Sequence, residues 1–217
     1  MVDFTDRDDD YVEVVADRPM RPKKITVIAV IAIIFGGLYV LGFLGSIPGL
    51  VIQLVAPDAF NFAPPGDDPS AKMQIEMQEK MGEVTRKYIL PMFLLSITSL
   101  VAGVLLLYSS IQVLRRDELG DYRLFRNTTT FCLALVIANT IFTTLLQMAN
   151  MKAIDAAFSA ENFSGSNPRQ AQVFQTVMYY SMLLGVVMGI MFQLLKLAYF
   201  GIANWILSHY LKTRTAT

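Results

Sequence analysis

Between Gln175 and Leu211 the chain runs for thirty-seven residues with a single formal charge, Lys196. No soluble helix needs an apolar run of that length, and a bilayer core about 30 Å thick is crossed by about 20 residues. Three further apolar blocks, near 25–55, 88–114 and 128–148, reach the same length, and the charges lie between the blocks. Hydrophobic residues make up 54% of the 217, charged residues 17%, and the mean hydropathy is +0.46, a balance that leaves too little charge to cover a soluble domain. The fold class that follows is an all-α integral membrane protein with four transmembrane helices, over about 25–46, 88–113, 128–148 and 176–205.

The blocks divide the chain into one four-helix transmembrane domain, 25–211, with connections of different character. Residues 1–24 form a tail that is acidic through Asp17 and so expected to be disordered, ending in Arg18, Arg21, Lys23 and Lys24 against the first span. Its length and acidity do not fit a cleavable signal peptide. Outer loops are expected at 56–87 and 149–175, and a short tail at 212–217. Placing both termini in the cytoplasm puts twelve basic residues on the inner side, among them Arg115, Arg116, Arg123 and Arg126 in the turn between spans two and three. Six fall on the outer side, so the bias supports an N-in/C-in topology.

Local breakers set the expected ends. Gly45-Ser46-Ile47-Pro48-Gly49 is a natural stop for the first span, since Pro48 has no backbone donor, and leaves 47–56 interfacial or re-entrant. Pro91 suits the first turn of the second span, and Gly120 suits a helix end. Within the first outer loop, SAKMQIEMQEKMGEVTRKY carries a helical pattern. Asp67, Asp68 and Ser70 can cap it, and Met73, Met77 and Met81 share one face of it. The segment is expected to be a short amphipathic helix whose methionines pack on a neighbour or on the membrane. Copper(I) binding by the three thioethers is the sharper but weaker alternative, unsupported by His or Cys. Asn162-Phe163-Ser164 matches a glycosylation sequon, which matters only in a eukaryotic secretory setting.

Chemistry has little material. Cys132 is the only cysteine and His209 the only histidine, and the spans contain no acidic residue. Catalytic triads, paired carboxylates and the usual metal-ligand clusters therefore have no basis, and the expectation is a protein that is not an enzyme, with no catalytic residue, metal or cofactor. Zero net charge gives no reason to expect a nucleic-acid partner.

What remains is helix packing and a few intramembrane polar groups. Ser99 and Gly103 in span two, and Ser181, Gly185 and Gly189 in span four, are small residues at four-residue spacing that let another helix approach closely. Asn139, Thr143 and Gln147 make a polar stripe on span three, and Gln193 and Lys196 continue the small-residue face of span four. That whole face is expected to point into the bundle. Polar groups at such positions face protein or water rather than lipid. Lys196 is expected to snorkel toward the inner headgroups, because a lysine near the bilayer centre costs at least about 2.5 kcal/mol on insertion scales.

These features favour a non-enzymatic subunit or scaffold that acts through helix–helix association. Its expected partners are the lipid bilayer and other membrane subunits or further copies of itself. An oligomeric channel or carrier subunit, lined by Asn139, Thr143, Gln147, Gln193 and Lys196, is the second reading. The linked pattern of span two, basic turn and span three resembles that of many small bacterial membrane proteins and points to a bacterial inner membrane. The glycine-cysteine signature of tetraspanins and the tryptophan-cysteine loop of claudins are both missing.

Overall fold

The computed structural model describes residues 22–55, 69–116, 118–157 and 168–215. The tail through Arg21, the irregular stretch 56–68 with Asp67 and Asp68, and the sequon at Asn162 lie outside the described residues. Four α-helices make up the fold: α1 (Lys23–Val55), α2 (Pro69–Arg116), α3 (Leu119–Ala157) and α4 (Pro168–Thr215). Each is long and apolar enough to cross a membrane, over Lys23–Ile52, Gln78–Arg116, Leu119–Ala156 and Tyr179–Thr215. The chain thus has the makeup of an all-helical, multi-pass membrane protein.

The helices are longer than the local breakers predict. α1 continues through Pro48 to Val55, so no stop occurs at 45–49. In α2 the methionine-bearing segment is not a separate short helix but the first part of one 48-residue helix, and Pro91 lies deep in its interior rather than in a first turn. α3 takes Gly120 into its first turn, and α4 runs unbroken for 48 residues, about 72 Å. The physical reason is shared by the two prolines. In hydrocarbon a freed backbone group finds no water, so losing one hydrogen bond at a proline costs less than ending the helix and losing several. At the first proline the Ser46 hydroxyl also donates to the Phe43 carbonyl at 3.1 Å, anchoring the turn just before it.

Successive helices run antiparallel. α1 opens with Ile25 N–H donating to the Pro22 carbonyl at 2.9 Å, and α3 with Asp121 N–H donating to that of Glu118 at 3.1 Å. α1 packs along α2, α2 along α3, and α3 along α4, whereas α1 and α4 meet only sparsely. One end of the bundle therefore gathers Lys23, Lys24, Arg115, Arg116, Arg123, Arg126, Lys212 and Arg214, and we refer to it as the basic end.

The core lies in the half toward that basic end. Ala29, Ala32, Leu106, Val113, Tyr122, Phe125, Phe200 and Leu207 are all buried there. Aromatic rings close the layer: Phe35 lies 4.9 Å from Tyr199 and 5.8 Å from Phe200, and Tyr122 lies 5.0 Å from Tyr210. Tyr199 donates its hydroxyl to the Ile28 carbonyl at 2.6 Å, which ties α4 to α1. Buried hydroxyls are satisfied locally, Ser110 donating to the Leu106 carbonyl at 2.6 Å and Thr129 to that of Arg126 at 2.8 Å.

Glycine sets the α1–α2 crossing. A Cβ added at Gly103 would lie 2.9 Å from the Tyr39 Cβ and 3.0 Å from the Gly36 carbonyl oxygen, and one at Gly36 would lie 2.8 Å from Leu107. The two backbones touch where neither helix has a side chain.

A cavity between the four helices

Directly beyond the core, toward the far end, the four helices line a partly open cavity of about 460 Å³. Its floor is Phe35 and Tyr39 of α1. Ser96 and Ser99 of α2 and Asn139 and Thr143 of α3 supply polar walls, and Phe192 and Lys196 of α4 complete it. Of the polar residues singled out in the spans, Asn139, Thr143 and Lys196 meet here together with Ser99, whereas Gln147 and Gln193 do not line it.

The cavity sits at mid-span. Asn139 is thirteen residues, about 20 Å of helix, from both Arg126 and Lys152, the charges that bound the apolar part of α3. Lys196 stands at the same level, sixteen residues or about 24 Å from Lys212. Its ammonium does not snorkel toward the basic end. The Nζ lies 4.5 Å from the centre of the Phe192 ring, one turn back toward the α4 N-terminus, and 4.9 Å from the centre of the Tyr39 ring. The direction follows from helix geometry, since long side chains lean over the preceding turn and Phe192 is the residue four back. Each desolvated cation–π contact contributes up to about 2 kcal/mol, comparable with the roughly 2.5–3.5 kcal/mol that insertion scales assign to a lysine at this depth. The rings let the cation reside in the bundle, but they do not neutralise it.

Polar atoms around the cavity fall into two groups. On α3, Thr140 and Thr144 donate back to the Val136 and Thr140 carbonyls, both at 2.8 Å. Asn139 and Thr143, on the cavity side, make no hydrogen bond among the described residues. The Tyr39 hydroxyl and the Gln193 Oε1 are buried without a partner among the described residues. Among the described residues, then, a cation without an acidic partner shares a largely apolar cavity with an amide and a hydroxyl that make no hydrogen bond.

The small-residue positions divide as well. Gly103 lies at the α1 crossing, against Gly36 and Tyr39. On α4, Gly185 and Gly189 are exposed and would meet nothing within 4 Å of an added Cβ, and Ser181 is exposed too. These residues do not point into a packed bundle. Five turns of helix, or eighteen residues, relate Met182 to Phe200, Gly185 to Ala203 and Gly189 to Leu207, so each pair projects from the same side of a straight helix. Phe200, Ala203 and Leu207 are fully buried, whereas of the equivalent positions above them Gly185 and Gly189 are exposed and Met182 is half-buried. The described side chains include Met81, half-buried, but neither Met73 nor Met77.

Sequence patterns alone did not point to Tyr39, Phe192 and Gly36. Phe192 was readable as the residue four before Lys196. Gly36 belongs to a visible Gly-Gly pair, though nothing in the sequence says which helix it meets. Tyr39 is brought to Lys196 by tertiary packing alone. No protein-family model matches the chain, and neither curated proteins nor solved structures show significant similarity to it. The class of protein therefore rests on the fold itself: four long apolar helices arranged as a multi-pass membrane bundle, with a polar cavity at mid-span.

Proposed function

We propose that the protein is a non-enzymatic subunit or scaffold that works by helix–helix association, in an N-in/C-in orientation in a bacterial inner membrane. The observation that carries this reading is the bare small-residue face of α4. The same side of the helix is fully buried at Ala203 and Leu207 and uncovered at Gly185 and Gly189. In lipid, association depends on close backbone approach, and glycines and serines at four-residue spacing supply that approach. The occupant of the face is a helix of another membrane subunit or of a second copy. With mid-span Lys196 left out, the eleven-to-six basic bias supports the orientation.

The test is cysteine cross-linking in native membranes, with Cys132→Ser as background and Gly185→Cys or Gly189→Cys as probe. A cross-linked species that is lost in Gly185→Leu/Gly189→Leu is the expected result. A strictly monomeric protein with no co-purifying partner would rule the reading out.

One observation favours a second reading, an oligomeric channel or carrier subunit: Asn139, Thr143 and Lys196 share a cavity. Four helices alone leave little room for a continuous path, so neighbouring copies would have to complete it. Anion flux into liposomes that is unchanged by Lys196→Met would exclude a conducting role for that lysine.

A further inference from the structure

The geometry points to a binding site for an anionic amphipath in the mid-span cavity, with the acid group on Lys196 Nζ and the hydrocarbon body along the apolar walls. No Asp or Glu lines the cavity beside Lys196, and the apolar blocks 25–46, 88–113, 128–148 and 176–205 contain none. Its ammonium is fixed by two rings rather than drawn to the headgroups, with distances of 4.5 and 4.9 Å to their centres. A counter-charge must therefore come from outside the chain.

Three further features specify the ligand. Asn139 and Thr143 share the cavity with the lysine and make no hydrogen bond among the described residues, so an acid group's oxygens meet an amide and a hydroxyl as well as the cation. Ser99 of α2 adds a hydroxyl on another wall. Apart from Ser46 and Ser96, apolar side chains of all four helices form most of the remainder, and about 460 Å³ is within the range of small-molecule pockets, about 300–1,000 Å³. A bare inorganic anion would leave those walls unfilled, and an uncharged alcohol would leave the lysine unpaired. The site thus selects a monoanionic head joined to an acyl or similar chain, whether a free fatty acid or a lipid phosphate bearing such a chain.

This inference does not depend on the association reading, because every residue in it belongs to one chain. Full-length protein in phosphatidylcholine nanodiscs is titrated with dodecanoate, monododecyl phosphate, dodecan-1-ol and inorganic phosphate, and binding is read by equilibrium dialysis and native mass spectrometry. Saturable binding of one dodecanoate or dodecyl phosphate per chain is expected, the tighter of the two naming the head group. Affinity should fall at least tenfold in Lys196→Met and be largely kept in Lys196→Arg, with severalfold weakening in Asn139→Leu. Helical circular dichroism and elution volume identify folded variants, and Thr143→Val supplies a milder second probe of the wall. Equal binding to wild type and Lys196→Met would overturn the proposal, as would dodecan-1-ol binding as tightly as dodecanoate. Saturable inorganic phosphate with no amphipath bound would also overturn it.

Discussion

The two halves of this bundle are built from the same kind of sequence and end up in different states. Toward the basic end all four helices contribute to one buried layer, from Ile25 and Phe35 through Leu106 and Tyr122 to Phe200 and Leu207. Toward the far end α1, α2 and α3 stay together, with Leu50 and Ile154 buried, while α4 exposes Leu184, Met188 and Met191 along one face and Gly185 and Gly189 beside them. Hydropathy does not distinguish the halves, since a lipid-facing leucine and a packed one read alike. Shape does. Ala29, Ala32, Ala102 and Ala203 let rings such as Phe35, Phe125 and Phe200 fit between helices, whereas the upper part of α4 has no such ring facing its glycines.

The largest effect expected from this contrast is in the core. Phe200→Ala should destabilise the folded bundle by about 3–5 kcal/mol through a cavity among Phe35, Tyr199 and α3, measured by reversible unfolding in mixed micelles. Leu184→Ala, on exposed α4, should stay within about 0.5 kcal/mol. Similar losses at both sites would mean that the halves are equally packed within the chain.

Next in size is the crossing of α1 and α2. Gly103→Val places carbon against the Tyr39 Cβ and the Gly36 carbonyl, so the helices must separate at a cost of about 1–3 kcal/mol. The matching change Gly189→Val meets open space and should leave the monomer's melting temperature unchanged while weakening cross-linking between chains. If Gly189→Val destabilises the isolated monomer as strongly, the open face is not open.

A smaller effect separates the cavity from both halves. Lys196→Met removes a mid-span charge and two cation–π contacts, terms of similar size, so stability should change by less than about 1 kcal/mol. A clear loss of stability in the same unfolding assay would show that the lysine is structural. Smallest of all is the polar link between α3 and α4, where the Asn204 amide donates to the Thr130 hydroxyl at 2.8 Å on an exposed surface. A double-mutant cycle with Asn204→Ala and Thr130→Ala should give a coupling near 0.6 kcal/mol, and a value above about 1.7 would place that pair in a drier setting than its exposure implies.

The number of helices and their apolar stretches were legible in the sequence because length and charge distribution fix them without reference to tertiary contacts. Their ends were not. Pro48 and Pro91 are breakers in water, where a terminated helix can hydrate its free groups, and that alternative is lost in hydrocarbon, whereas Gly120 simply falls in the first turn of α3 at the charged turn. The site was partly legible. Asn139, Thr143 and Lys196 stand out by type in an apolar context, but their convergence depends on the rotation of α3 and α4 about their axes. On α4, Tyr199 and Phe200 pack their rings with Phe35 of α1 next to that convergence. Gln147 and Gln193 do not line the cavity, although their spacing matches that of the residues that do. For Lys196, depth was readable and direction was not, since only the structure shows the ammonium leaning over Phe192 and Tyr39.

The unbroken length of α4 has a mechanical consequence. Its hold on the rest of the chain is concentrated below Tyr199, and thirty-one residues separate that anchor from Pro168. The helix is thus a lever arm of roughly 46 Å, on which a tilt of about 5° at the fulcrum moves the far tip by about 4 Å. Lys196 lies within one turn of the fulcrum. Any contact made in the cavity acts where a small rotation is amplified most, and it would be read out at the opposite end of the helix rather than at the cavity itself.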